Sequence, residues 1–97
     1  MKVVFTAAAD EDLESARAWY EQEGPGLGSE LFAEAARVLA VIANHPFRFR
    51  VVRHKLRRAL VQRFPYAIYY RVHRKTVTVE GFFHGSRDPR TWMARDR

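Results

Sequence analysis

The 97-residue chain has no cysteine. Disulfide staples, thiolate zinc sites and cysteine nucleophiles are therefore excluded. Glycine and proline are sparse, at five and four residues. They punctuate segments and form no repeat or low-complexity tract. No apolar run approaches the roughly 18–20 residues a membrane helix needs, so no membrane partner is expected. The opening MKVVFTAAADEDL carries one lysine and turns acidic at Asp10, unlike a secretory leader. A cytoplasmic location is the expectation. Acidic residues are scarce in the second half. Residues 47–97 hold fourteen bases against three acids, net +11, while residues 1–46 hold three bases against eight acids, net −5. Such a split points to an anionic partner for the second half.

What is present closes a small core. The chain is 47% hydrophobic and 13% aromatic, enough to argue against disorder and for one domain spanning 1–97. Arginine outnumbers lysine fourteen to three. Its planar fork binds phosphate and carboxylate bidentately, which lysine does not.

Lys2–Phe5 reads as a short strand, with Val3 and Val4 β-branched. Thr6 is suited to cap a helix whose first turns carry Asp10, Glu11 and Asp12. Ala9, Leu13, Ala16 and Tyr20 then share one helical face up to Gly24-Pro25-Gly26. A second helix runs from Gly28-Ser29 to Ala43, with Phe32, Ala35, Ala36, Leu39 and Ile42 in period and Asn44 and Pro46 as the stop. Trp19, Tyr20 and Phe32 fall at core spacing. The short link predicts an antiparallel helix hairpin.

Phe47–Leu56 reads as a basic loop. Three strands follow, over Arg57–Phe64, Tyr66–His73 and Thr76–Phe83, the last two joined at His73-Arg74-Lys75. In the third, Val77, Val79, Gly81 and Phe83 are expected on one face, with Thr78, Glu80 and Phe82 on the other. Asp88-Pro89 introduces a short terminal helix over Arg90–Ala94. The expected fold is α+β: an N-terminal strand and a helix hairpin packed on a mainly antiparallel sheet. The face away from the helices should be partly open, carrying Arg58, Gln62, Arg71, Glu80 and His84.

Three stretches also carry a family signature. The helix hairpin holds Asp12-Leu13, Trp19-Tyr20 and Gly26-Leu27-Gly28. The middle of the chain reads RRALVQRFPYAIYYRV from Arg57 to Val72. The third is Phe83-His84-Gly85-Ser86-Arg87-Asp88-Pro89, followed by Trp92. In this order the chain resembles the RelE/ParE superfamily of toxins from bacterial type II toxin–antitoxin systems, with wording closest to the ParE side. The resemblance implies a toxin neutralised by a cognate antitoxin. It implies DNA gyrase as a target reached by protein–protein contact. The alternatives it carries are a ribosome-dependent mRNA endonuclease and an inactive toxin-like binding module.

On the nuclease alternative Arg58, His84 and Arg87 would be catalytic. Arg58 and Arg87 would stabilise the phosphorane, and His84 would move a proton near neutral pH. No metal and no cofactor is implied. Nuclease members often end in a tyrosine, and this chain has none after Tyr70. Trp92 takes the nearest aromatic position, and an indole does not exchange protons as a phenol does. Residues expected to meet the target or antitoxin are Arg48, Arg50, Arg53, Lys55, Arg63, Arg71, Arg90, Trp92 and Arg95. The outer groove of the helix hairpin and the sheet edge are the expected docking surfaces for the antitoxin.

Overall fold

Thr6 turns the chain from strand to helix. In the computed structural model, which describes residues 1–85 together with Arg90 and Met93, β1 spans Lys2–Phe5 and α1 spans Ala7–Glu23. The Thr6 hydroxyl accepts the Ala9 N–H at 3.1 Å, satisfying one of the orphan donors at the helix start. The Gly24 N–H closes the far end on the Tyr20 carbonyl. Gly26 sits in the left-handed region at φ 87 and opens α2, Leu27–Asn44. One side chain joins the two helices at this link. The Glu21 carboxylate accepts the N–H groups of Gly26 and Gly28, each at 3.0 Å. These are first-turn donors of α2 that its own helix cannot satisfy. Gly28 also lets the helices meet closely, since a Cβ there would lie 2.8 Å from the Arg17 carbonyl oxygen.

The second half forms β2 (Arg50–Arg53), β3 (Leu56–Leu60), β4 (Tyr66–His73) and β5 (Thr76–His84). The five strands make one sheet in the order β1-β5-β4-β3-β2, with β1 parallel to β5 and the other pairs antiparallel. The expected α+β arrangement of a helix hairpin on a mainly antiparallel sheet is therefore observed. One expectation fails at β2, because the stretch read as loop contains a strand. Val51 and Val52 are β-branched and extend readily. A two-residue turn, His54-Lys55, then joins Arg53 to its partner Leu56, with φ of 44 and 67. Positive φ at both positions is what a tight hairpin turn of this length requires. The strand expected over Arg57–Phe64 also stops early, at Leu60, and Arg63 takes a positive φ of 70.

The main core lies between the hairpin and the sheet. Ala9, Ala16, Leu31, Ala35, Val38 and Ile42 from the helices meet Ala59, Ile68, Tyr70, Val77, Val79 and Phe82 from the strands. A smaller cluster of Leu56, Ala67, Tyr69 and Phe83 lies on the opposite face, with Val52 against it. That face carries a buried apolar centre and is not simply open. Trp19 and Phe32, expected in the core, are 55% and 40% exposed. Helical period marks a face but not its buried width: Trp19 lies at the margin, edge-on to Tyr20 and lining a cleft with Tyr66 and Phe82.

A bulge in β5 decides which residues face which way. Tyr70 pairs with Val79 but Tyr69 pairs with Gly81, so Glu80 is the extra residue. An inserted residue reverses the alternation after it. Phe82 thus joins Val77 and Val79 under the helices, and Phe83 goes to the other face. The expected grouping of Phe83 with Val77 and Val79 is wrong for this reason. Of the expected terminal helix, Arg90 and Met93 are helical. The rest of that segment, including Arg87, Trp92 and Arg95, lies outside the described residues.

Candidate interaction groove

The basic residues divide into those the fold uses internally and those it leaves exposed to a partner. Arg63 belongs to the first group. Its guanidinium meets Glu30 at 2.6 Å and Glu34 at 3.8 Å, tying the β3–β4 link to α2. Glu34 is itself buried and also pairs with Arg37 at 3.0 Å. Arg71 reaches Glu80 at 2.5 Å and donates from Nε to the His54 carbonyl at 3.2 Å. It braces the β2–β3 turn against the bulge. Arg57 donates to the carbonyls of Phe47 and Phe49 at 3.2 and 2.7 Å and stacks over the Phe47 ring at 5.2 Å. These contacts fix the segment after α2. The Tyr70 hydroxyl fixes it again, donating to the Pro46 carbonyl at 2.7 Å. Burial pushes the Tyr70 phenol up to about 12, against a partial offset from nearby Arg57.

Part of the second group stands at the turns, with Lys55 between β2 and β3 and Arg74 and Lys75 between β4 and β5, and another part gathers along one edge. β2 begins at Arg50, directly opposite Arg58. The outer edge of β3 at Leu60 therefore lies beyond the reach of β2. There a groove of about 410 Å³ opens, lined by Arg48, Phe49, Arg50, Arg58, Leu60 and Gln62. No described carboxylate lines it, and among the described residues Arg48, Arg50 and Arg58 have no ion-pair partner. Arg50 and Arg58 are direct cross-strand neighbours of like charge, an arrangement that repels. A second cleft of about 180 Å³ adjoins it, sharing Phe49, Leu60 and Gln62 and adding Arg37, Val38 and Val41 of α2. At the other end of the β2–β3 hairpin, away from this groove, half-buried Arg53 ends β2 and Lys55 stands exposed at the turn.

Of the three residues expected to act together in a nuclease, Arg58 and His84 are described, and they lie on opposite faces of the sheet. Arg58 shares a face with Tyr69, its partner on β4. The bulge places His84 on the other face, opposite Tyr66, with its ring edge-on at 5.3 Å. Tyr66 in turn meets Tyr20 of α1 and stacks on Phe82 at 4.8 Å. Of the other expected site residues, Arg90 is exposed, and Arg87, Trp92 and Arg95 are not described. No cluster of three or more histidines and carboxylates suited to a metal ion occurs among the described residues, and no described helix is long and apolar enough to cross a membrane.

Phe49, Leu60 and Gln62 escaped the sequence reading as groove residues, because the groove exists only where β2 stops short. A separate cleft of about 390 Å³ lies on the α1 side, lined by Glu11, Asp12, Ser15, Ala16, Trp19, Tyr66, Phe82 and Phe83. Asp12 accepts the Phe82 N–H there at 3.1 Å.

Comparison with known proteins is consistent over nearly the whole chain. Residues 3–89 match the family described as the ParE toxin of the type II toxin–antitoxin system parDE. A solved structure described as the chromosomal ParDE TA system from P. aeruginosa superposes with a TM-score of 0.74 at 18% identity. The match covers 87% of this chain and 95% of that one. No curated protein sequence matches the chain.

Proposed function

The chain belongs to the ParE toxin family of type II toxin–antitoxin systems, and from that premise we propose that it inhibits DNA gyrase by protein–protein contact. As a toxin of this class it has a cognate antitoxin as partner. The contact surface on gyrase is the β2–β3 hairpin tip, with Arg53 and Lys55, together with the terminal Arg87–Arg97 segment. The observation that carries this reading over mRNA cleavage is the bulge at Glu80. It sets His84 and Arg58 on opposite faces of the sheet. A general acid or base must lie within hydrogen-bond reach of the proton it moves, while the cation stabilises the same phosphorane. Two residues separated by the sheet do not share one phosphate. Contact inhibition needs only an exposed, rigid and positively charged surface. The braced β2–β3 turn fits that description, with Arg71 holding the His54 carbonyl.

The experiment runs the purified protein in two assays. One follows gyrase supercoiling of a relaxed plasmid. The other follows mRNA on programmed ribosomes by primer extension. Blocked supercoiling with intact message is the expected result. Message cut at defined codon positions, with supercoiling unaffected, would overturn the reading.

A further inference from the structure

We propose that the Arg48–Arg50–Arg58 groove is a receptor for a segment of the antitoxin that carries carboxylates interleaved with bulky aliphatic side chains. The inference rests on the toxin reading for the existence of that antitoxin, and otherwise on the groove alone. Its rim is cationic and holds no described carboxylate. Arg50 and Arg58 stand opposed across β2 and β3, a repulsion that an anion between them reverses. Two guanidinium forks suit carboxylates, which they bind bidentately.

The floor selects among anions. Leu60 is 63% exposed and leads into the neighbouring cleft with Val38 and Val41. At about 180 Å³ that cleft falls below the roughly 300 Å³ at which small-molecule pockets begin, which suits a single side chain. A nucleic acid backbone leaves such a floor uncovered. Phe49, set edge-on to Tyr70 at 6.4 Å, is the single aromatic ring among the residues lining the groove, where single-strand binders stack successive bases on several rings. A second copy of this chain is disfavoured as well, because it brings the same arginines to the same edge. A peptide with acids for the rim and an aliphatic side chain for the cleft matches both parts.

The test uses a short synthetic peptide alternating Glu and Leu, labelled for fluorescence anisotropy against the full chain. An all-Glu peptide of the same length and an oligo-dT strand are the comparison probes. The Glu–Leu peptide is expected to bind most tightly. Arg50→Gln and Arg58→Gln should each weaken it by roughly tenfold, as for loss of charge-assisted hydrogen bonds. Leu60→Ser should weaken the Glu–Leu peptide and leave the all-Glu peptide unchanged, a split that general unfolding does not produce. Equal binding of both peptides, tighter binding of oligo-dT, or an inert Leu60→Ser would each overturn the proposal. Growth on induction is followed separately. Arrest without peptide capture would sink the groove assignment and leave the toxin reading intact. Capture without arrest would remove the antitoxin as the occupant.

Discussion

Tyr70→Phe should separate stability at neutral pH from stability in alkali. The Tyr70 side chain is wholly buried, and its hydroxyl donates to the Pro46 carbonyl at 2.7 Å. Losing that bond costs about 1 kcal/mol at neutral pH, or roughly 4–8 °C in melting temperature for a domain of this size. The alkaline limb behaves differently. Burial raises the phenol from its ordinary 10.0 to about 12 in the folded protein. Between these values the unfolded chain releases the proton and the folded chain keeps it. The contribution of Tyr70 is therefore complete below pH 10 and falls away as pH rises toward 12, by about 2–3 kcal/mol in total. Urea unfolding followed by tryptophan fluorescence across pH 8–12 measures it. The variant should be less stable at pH 8 yet lose less on going to pH 12, so that the two curves cross within that range and the variant is the more stable at its alkaline end. Parallel curves throughout that range would refute the reasoning.

Glu21→Gln should flatten the acid limb. The N–H groups of Gly26 and Gly28 hold the Glu21 carboxyl below its ordinary 4.5, so its contribution is present above that value and is lost as pH falls through the lower folded value. Acid unfolding followed by circular dichroism checks this, and an unchanged acid midpoint would speak against it. Gly28→Ala should destabilise by about 1–3 kcal/mol, because the added Cβ meets the Arg17 carbonyl at 2.8 Å. A neutral or stabilising result in urea would mean the helices separate there at little cost. Leu31→Ala, at a fully buried position, should cost about 2–5 kcal/mol in the same titration, well above any loss from Phe32→Ala on the exposed side.

Much of the scaffold can be read from local chemistry. Thr6, Gly24-Pro25-Gly26 and Asn44 with Pro46 bound the two helices to within about a residue, in line with ordinary end fraying. Strands β4 and β5 follow from plain alternation. What was illegible depends on events between elements. Arginines at 48, 50 and 53 masked β2, although Val51 and Val52 carried a strand signal. The bulge inserts one residue beside Gly81, whose place inside a strand is its one local mark, and plain alternation through it reverses the faces of Phe82, Phe83 and His84. The positive character of the site was visible in the count of arginines. Its boundaries were not. Arg63 and Arg71 look as available as Arg48 and Arg50 in sequence, and only the fold shows that Glu30, Glu34 and Glu80 occupy them. Leu60 becomes part of a groove because β2 begins at Arg50, two residues too late to cover that edge.

The central claim is that Arg50 and Arg58 face one another with no neutralising carboxylate among the described residues and are held ready for an acidic partner. Thermal melting of Arg50→Gln against the wild type, at low and at high salt, tests it most directly. Removing one of two opposed like charges should raise the melting temperature at low salt by roughly 1–5 °C. The gain should shrink as salt screens the pair. A lower melting temperature for the variant would show that Arg50 is already paired within its own chain, and the claim would fail.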